Sequence, residues 1–479
     1  MLKTRRGADA ALAAMLVIAM WLTACSAAPS HPPSASRRTS APPSLSVPSP
    51  SPTASPSPAL TASWPEYHHD AQRTGQSATI PAVSTLSTWW TADLDGAVWA
   101  EPLVVGDNVI VVTENDTLYA LDPENGAVVW KDHVGTPVPE SDLPCGDIFP
   151  LGMTGTPAYD PATQSIFVVA EETGPIHVLY AFDATTGAVR WSRKVDIAIA
   201  SENAAAVQQR TALAVANGYV YFGFGGLDGD CNQYRGAVVA VPTDGQGSTL
   251  DYVVPTAREG AVWSPGGPVL GSGGDIFVST GNGAAVGGTW DETDSVLEFT
   301  PSLQLVSAFA PSRWAYDNSH DLDLGSVAPT LLPDGYIFIA GKSGIGYVLQ
   351  QSSLGGVGGQ VSTGPVCQGA MAFGGTAFSG NIVYLPCANG VQAISVATGG
   401  SFTSLWQASN GANGPPVLGG ASVLSVDTTS GTLDVLDAAT GALQGQISVG
   451  PVPHFATPAL DGVLALVPTR SGVVAISGI

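Results

Sequence analysis

The chain has 479 residues, of which only 11% are charged while 57 are Gly and 37 are Pro, so hydroxyl, amide and turn residues must keep it soluble. This composition is typical of an all-β protein with many turns. Asp and Glu outnumber Lys and Arg by 39 to 16, which argues against nucleic acid as a partner and favours a divalent cation or a neutral small molecule.

The first residues have the pattern of a secretory signal. Lys3, Arg5 and Arg6 precede an apolar run, and the run ends in LTAC, which places small residues before Cys25. The LTAC stretch resembles the lipobox of bacterial lipoproteins, which implies cleavage before Cys25 and acylation of its thiol. We therefore expect residues 1–24 to be removed and the chain to be lipid-anchored to the outer face of a bacterial membrane.

The next segment, residues 25–62, consists largely of Ser, Pro, Ala and Thr with repeated Ser-Pro pairs. Such a segment has little apolar surface to bury, so it is predicted to be a disordered, partly polyproline tether. The folded body is expected to span residues 63–479.

Four further cysteines follow Cys25, which is an even number in an exported chain, so we expect disulfides. Four cysteines allow three pairings. Closeness in sequence favours Cys367 with Cys387, which leaves Cys145 with Cys231. Their spacing fits no zinc motif.

The body repeats one pattern. LYALDPENGAVVW at 118–130 returns as LYAFDATTGAVRW at 179–191 and as LDVLDAATGALQG at 433–445. Alternating apolar residues predict a half-buried strand, the Asp with Asn-Gly or Thr-Gly predicts a tight turn, and the next run predicts an antiparallel strand. Weaker copies at 238–245, 296–303, 346–353, 391–400 and 473–479 bring the total to eight.

Eight copies at this spacing predict an all-β, eight-bladed β-propeller with four strands a blade. The last copy stops after a partial blade, and Leu86 to Leu94 forms an unassigned strand before the first complete one. We expect this N-terminal strand to complete the last blade, which removes open sheet edges. Trp130, Trp191 and Trp406 recur at matching positions and are predicted to pack between blades.

The strand, ALD-x-x-TG turn and Trp-ended strand resemble the repeat of dehydrogenases that depend on pyrroloquinoline quinone (PQQ). The same repeat occurs in outer-membrane assembly scaffold lipoproteins. The resemblance covers the body from Trp64 onward and implies the PQQ-dehydrogenase type of eight-bladed propeller. It does not separate enzyme from scaffold, because one fold hosts many functions.

Five residues match positions that the quinoprotein alcohol dehydrogenases use. The resemblance implies that Thr154 of GMTGTP binds PQQ, that Trp263 of AVWSPGG stacks on the quinone, and that Lys342 of AGKSGIGYVL contacts its oxygens. Glu172, followed by x-Gly, and Asn282 of STGNG match the calcium ligands. These types suit the chemistry, because calcium takes carboxylate and amide oxygens and a flat cofactor packs on an indole.

Removal of a hydride from an alcohol or sugar also needs a carboxylate base. The loop after Asn282 offers Asp291 and Asp294, of which Asp291 is preferred, although this loop is shorter than the family's. Asp321 and Asp323 match an acidic stretch that lines the same mouth in the family.

Two departures weigh against an enzyme. The family packs two adjacent cysteines on the quinone, whereas CGDIFPLG has the single Cys145 and Leu151 where a basic residue is usual. The chain has no CxxCH motif, so it carries no c-type haem and electrons must leave to another protein.

Two hypotheses follow. In the first, the chain is a lipid-anchored quinoprotein that binds PQQ and calcium and oxidises a small alcohol or sugar. In the second, it is a non-catalytic propeller lipoprotein that binds a protein or glycan partner at the cell envelope.

Overall fold

A computed structural model describes residues 64–77, 83–199 and 202–479. The predicted signal, the tether and Cys25 lie outside these ranges. Within them, no helix has the length and apolar character needed to cross a membrane. Helical segments are short: the α-helix Trp314–Asn318 and the 3₁₀ turns Glu140–Asp142, Ala204–Ala206, Leu324–Ser326 and Cys367–Gly369.

The rest of the regular structure is β-strand. In chain order the strands are β1 Gln76–Ser77, β2 Ser87–Asp93, β3 Leu103–Val105, β4 Asn108–Thr113, β5 Thr117–Leu121, β6 Val128–His133, β7 Ala158–Asp160, β8 Ser165–Glu172, β9 Ile176–Asp183, β10 Val189–Lys194, β11 Val207–Gln208, β12 Ala214–Ala216, β13 Tyr219–Gly226, β14 Ala237–Pro242, β15 Leu250–Val253, β16 Val269–Leu270, β17 Ile276–Thr280, β18 Ser295–Phe299, β19 Leu305–Ala310, β20 Thr330–Leu331, β21 Tyr336–Ala340, β22 Ile345–Gln350, β23 Gly356–Val357, β24 Ser362–Pro365, β25 Ala377–Ser379, β26 Ile382–Leu385, β27 Gln392–Val396, β28 Phe402–Gln407, β29 Val417–Gly419, β30 Ser422–Asp427, β31 Thr432–Asp437, β32 Leu443–Ser448, β33 Ala459–Asp461, β34 Leu464–Thr469 and β35 Gly472–Ser477.

These strands form eight sheets of four or five strands, and each sheet is one propeller blade. Blade 1 contains β3 to β6, blade 2 contains β7 to β10, and the pattern continues to blade 8. Apolar side chains from neighbouring blades pack together into the buried clusters between them. The predicted eight-bladed propeller is therefore confirmed.

The repeated pattern seen at 118–130, 179–191 and 433–445, called the tag from here on, forms the hairpin between the third and fourth strands of a blade. In blade 1 it links β5 to β6, and the carboxylate of Asp122 accepts a hydrogen bond from the Glu124 amide at 2.8 Å. Asp183 and Asp437 accept equivalent turn amides in blades 2 and 7. The Asp of the tag thus stabilises the turn and does not belong to a binding site.

The N-terminal strand closes the ring as predicted. Strand β2 pairs antiparallel with β35, from Ser87 opposite Ser477 to Asp93 opposite Gly472, so blade 8 takes three strands from the C-terminus and one from the N-terminus. Closure joins the two ends of the domain and leaves no unpaired blade.

The repeated tryptophans pack between blades, which confirms their predicted role. Trp130 of blade 1 lies against Gly187 in the turn of blade 2, where a Cβ would sit 2.3 Å from the indole. Gly187 also has a φ of +76°, a conformation that L side chains rarely adopt. Both constraints explain why the tag needs Gly at this position. The same contact joins Trp191 to Gly245 and Trp406 to Gly441.

A strap formed by residues 64–77 lies against the inner strands of the propeller. Its backbone bonds to Val104, Tyr159 and Leu418 in blades 1, 2 and 7. The buried guanidinium of Arg73 donates to the carbonyls of Leu213, Gly266 and Pro268 and pairs with Glu66 at 3.2 Å. The strap therefore ties blades that are distant in sequence.

Two disulfides have the pairing that sequence proximity favoured. Cys367 bonds Cys387 across 20 residues, and Cys145 bonds Cys231 across 86. The first pair is fully buried, whereas the second joins two long loops that carry polar residues toward the cavity described next.

Candidate functional site

A cavity of about 310 Å³ lies among loops that connect the blades. The residues that define its chemistry are Asp147, Arg210, Trp263, Lys342, His454 and Phe455. They come from five loops far apart in sequence: four join one blade to the next or precede an inner strand, and the fifth, with Lys342, is the hairpin between β21 and β22. The propeller ring is what brings these loops together.

Trp263 lies at the side of the cavity with two cations over its ring. Lys342 Nζ is 5.5 Å and Arg210 Cζ is 5.8 Å from the ring centroid. An indole face attracts cations through its quadrupole, so the three side chains support one another. Trp263 is only half-buried, which leaves part of the indole available to a ligand.

Lys342 is held by two carboxylates. Its Nζ lies 2.8 Å from Asp321 Oδ1 and also pairs with Asp323. Burial alone would lower the pKa of Lys342, but the charges of Asp323 and Asp321 outweigh it and raise the pKa above its ordinary value. Lys342 is therefore a fixed positive charge at the cavity.

Arg210 is different, because no hydrogen bond or ion pair to it occurs in the described part of the chain. Its guanidinium lies 5.1 Å over Phe455 as well as beside Trp263. Burial lowers the pKa of Arg210, and the nearby charges of Asp147 and Asp228 oppose that shift. The guanidinium rests against two neighbouring aromatic rings, whose centroids are 6.3 Å apart, and its N–H donors are free for an anion such as a carboxylate.

Asn282 borders an adjoining cavity of about 70 Å³ that also contacts Trp263, Lys342 and Asp323. The backbone N–H of Asn282 donates to Asp323 Oδ1 at 2.6 Å. Three of the five residues singled out by the resemblance, Trp263, Asn282 and Lys342, are therefore brought together.

Thr154 and Glu172 are not among the residues that line either cavity. Thr154 donates to Glu114 at 3.1 Å, and Glu172 accepts a hydrogen bond from Tyr180 at 2.5 Å. Burial raises the pKa of Glu114 to about 8, and burial with neighbouring carboxylates raises that of Asp116 to about 9. Thr154 and Glu172 thus belong to a buried acidic region between the first blades.

The predicted bases also lie away from the cavity lining. Asp291 accepts a hydrogen bond from Thr293 at 2.7 Å. Asp294 is fully buried and accepts the Leu324 amide at 3.0 Å, and burial together with the charge of Asp323 raises its pKa well above the ordinary value. Asp294 is therefore an enclosed carboxyl group rather than a base that faces solvent.

The donor set fits a quinone better than it fits calcium. An indole and two cations suit a flat, electron-poor ring that carries negative charge. For calcium, no group of three or more acidic, His or Cys side chains is placed to hold a metal ion within residues 64–77, 83–199 and 202–479. Glu172 bonds Tyr180, and Asn282 borders a cavity that already contains Lys342. These residues as they stand do not fit calcium.

Sequence reasoning missed Arg210, His454 and Asp147. His454 Nε2 lies 2.6 Å from Asp147 Oδ2, although the two are 307 residues apart. His454 lies in no motif, and Asp147 lies in CGDIFPLG, where the resemblance concerned only Cys145 and Leu151. Only the position of each before a blade's inner strand could have indicated a place at the mouth.

Comparisons with known proteins agree on the fold. A family model described as outer membrane protein assembly factor BamB matches residues 76–303. A quinohaemoprotein alcohol dehydrogenase from Pseudomonas putida is 15% identical with a TM-score of 0.67, over 87% of this chain and 80% of that one. No curated protein sequence matches the chain.

Two further structures show the same architecture. A europium-containing methanol dehydrogenase is 16% identical with a TM-score of 0.65, over 86% of this chain and 90% of the other. BamB from Moraxella catarrhalis is 14% identical with a TM-score of 0.56, over 82% and 99%. The chain is thus an eight-bladed propeller of the PQQ type. Its repeat is the PQQ-like repeat predicted from the sequence, and the likeness extends to both dehydrogenases and an assembly factor.

Proposed function

We propose that the cavity beside Trp263 binds a planar quinone cofactor of the PQQ kind. The observation that carries the proposal is the convergence of Trp263, Lys342 and Arg210 on one cavity. Structures similar in fold include alcohol and methanol dehydrogenases, which supports the same class of ligand.

Each residue has a defined part in such binding. Trp263 offers an apolar face for the ring. Lys342, fixed by Asp321 and Asp323, provides positive charge for the quinone oxygens. Arg210 has unpaired donors that suit a carboxylate. A bound quinone would supply the redox chemistry, the acceptance of a hydride from an alcohol or sugar, while the protein supplies position and charge.

The test is a titration of the purified full-length chain in detergent with PQQ, followed by quinone absorbance and calorimetry. We expect saturable binding that persists in a calcium chelator, because Glu172 and Asn282 do not form a calcium site in this arrangement. The substitution Glu172→Ala should then leave affinity unchanged. If binding requires calcium and is lost in Glu172→Ala, then Glu172 is a calcium ligand as the resemblance implied. If PQQ does not bind at all, the proposal is wrong.

Arg210→Gln provides the residue-level test. Loss of a charge-assisted pair weakens binding by about 1.5–3 kcal/mol, roughly a 10- to 100-fold increase in Kd. Arg193→Gln is the matched control, because Arg193 lies on β10 and bonds Gly245 instead of facing the cavity.

We also propose that the protein is exported and held at the outer face of a bacterial membrane by lipid on Cys25. The signal-like N-terminus, the Ser/Pro-rich segment and two disulfides support this location. Mass spectrometry of the purified chain should find acylated Cys25 at the mature N-terminus, and Cys25→Ser should release the protein from the membrane fraction.

A second candidate is a scaffold that binds an envelope protein or glycan. The match to the BamB family model and the 99% coverage of the Moraxella catarrhalis protein favour it. Crosslinking in cells that captures one specific partner, together with absence of PQQ binding, would decide for the scaffold.

A further inference from the structure

His454 and Asp147 form a pair at the rim of the cavity that none of the roles above uses. His454 Nε2 lies 2.6 Å from Asp147 Oδ2, and both side chains border the same cavity as Trp263 and Arg210. The pair connects the loop before blade 8 to the loop between blades 1 and 2.

The contact determines which nitrogen of the imidazole carries the hydrogen. A carboxylate accepts hydrogen bonds and does not donate them, so Nε2 carries the hydrogen that Asp147 accepts. In the neutral ring the other nitrogen, Nδ1, is then unprotonated and able to accept a proton. No second hydrogen bond to His454 occurs in the described part of the chain, so Nδ1 is available to a ligand.

The ring is also held in place. Its centroid lies 5.4 Å from that of Trp99 and 5.7 Å from that of Phe455. Asp147 stands two residues after Cys145, whose disulfide to Cys231 restrains its loop. His454 is nevertheless 54% exposed at its side chain, so a molecule in the cavity can reach it.

We propose that His454, oriented by Asp147, is the proton acceptor of this cavity and that its substrate is a small compound with a hydroxyl group. This inference rests on the proposed quinone binding. The arrangement of an imidazole oriented by a carboxylate is the usual way in which proteins prepare a neutral histidine to take a proton.

The step balances with a quinone as the oxidant. The O–H bond of the substrate breaks and its proton forms an N–H bond at Nδ1. A bound ortho-quinone would be the oxidant that accepts the hydride of the adjacent C–H bond, so that the substrate would become a carbonyl compound. Asp147 stabilises the resulting imidazolium.

The charged groups near His454 are of both signs. Asp147 faces it from the loop between β6 and β7, and Arg210 lies over the neighbouring Phe455 from the loop before β12. Arg470, from the hairpin between β34 and β35, lies 5.8 Å over Trp99 on the other side. Asp147 is thus the partner in direct contact, while the cations help to hold the rings that flank His454.

The first measurement uses the full-length chain loaded with PQQ, an artificial dye as electron acceptor, and a panel of small alcohols and sugars. We expect His454→Gln to reduce kcat by about 100-fold or more, the contribution of a general base. PQQ affinity should not change. His133→Gln, on the outer strand β6, is the matched control and should match the wild type.

A His454→Gln variant that binds PQQ and keeps wild-type kcat would overturn the inference while leaving the proposed function intact. Absence of PQQ binding to the wild type would instead remove the proposed function.

The second measurement needs no cofactor. Nitrogen NMR of the histidine-labelled chain at alkaline pH should show His454 with the hydrogen on Nε2, and Asp147→Ala should abolish this preference. A hydrogen on Nδ1 in the wild type would overturn the inference whatever the result with PQQ.

Discussion

Lys342 Nζ lies 5.5 Å from the centroid of the Trp263 ring, although 79 residues separate the two in the sequence. Trp263 precedes blade 4 and Lys342 lies in the hairpin between β21 and β22 of blade 5. Neighbouring blades therefore contribute residues to one site, although these residues belong to separate motifs in the sequence.

Trp263→Ala should weaken PQQ binding by about 1.5–3 kcal/mol, roughly 10- to 100-fold in Kd, because the ligand loses its apolar face. Trp263→Phe keeps a smaller aromatic face and should lose less. Absorbance titration measures both. Equal affinity in Trp263→Ala and the wild type would place the ligand elsewhere.

The two disulfides should differ in their rate of reduction. Cys367 and Cys387 are fully buried, whereas Cys145 and Cys231 are partly exposed, so a mild thiol reductant reaches the second pair first. Alkylation followed by mass spectrometry should find labelled Cys145 and Cys231 while Cys367 and Cys387 stay oxidised. Labelling of Cys367 and Cys387 before Cys145 and Cys231 would contradict the burial of the first pair in the structure.

Arg73→Met should lower the free energy of unfolding by about 3–5 kcal/mol, because it leaves Glu66 as a buried group without its cation and several carbonyls without a donor. Burial already raises the pKa of Glu66 to about 7, although Arg73 counteracts this. Urea denaturation measures the loss. Lys194→Met, which removes an exposed pair with Asp196, serves as the control and should cost at most about 1 kcal/mol.

Stability should fall as pH rises, in part through His177. Burial lowers the pKa of His177, but Glu171 and Asp196 outweigh it and raise the pKa from 6.5 to about 9. Because the folded-state pKa is raised, the imidazolium stabilises the fold fully below pH 6.5, and this contribution is lost as pH rises through about 9.

His177→Gln should remove this contribution, which is of the order of 3 kcal/mol. The variant should be less stable than the wild type at pH 6 and nearly equal to it at pH 10. Denaturation at a series of pH values provides the comparison. A pH dependence identical to that of the wild type would show that His177 is not charged in the folded protein.

Gly187→Ala should destabilise the protein more than Gly218→Ala. Both glycines have a positive φ, +76° and +78°, so Ala strains the backbone in each by about 1 kcal/mol. Only Gly187 faces Trp130, whereas a Cβ at Gly218 meets nothing within 4 Å. The difference between the two free energies of unfolding measures the contact between blades 1 and 2, and equal losses would refute it.

The sequence predicted the fold well because the propeller is built from local signals. Each tag contains its own strand period and turn residues, several blades add a Trp that packs on the next blade, and eight such units form the ring. The disulfide pairing followed from the closeness of Cys367 and Cys387 in the sequence, which left Cys145 with Cys231. The closure by Leu86 to Leu94 followed from counting strands, since the last blade lacked one.

The candidate site was predicted less completely. Trp263, Asn282 and Lys342 lie together as the resemblance implied, whereas Thr154 and Glu172 lie in a buried acidic region and Asp291 and Asp294 lie away from the cavity lining. Glu172 is the last residue of β8, where a shift of one residue in the pairing register reverses the direction of the side chain, and Asp291 and Asp294 lie in a loop that has no strand alternation.

By itself, the sequence determined the number of blades, their register and the closing strand, because these depend on spacing along the chain. Only the tertiary structure decided which side chains share the cavity. Arg210 meets Trp263 and Phe455, and Asp147 meets His454 across 307 residues, because ring closure brings the loops before the inner strands to one mouth. Contacts between distant loops produce no periodic pattern in the sequence, so the sequence did not predict them.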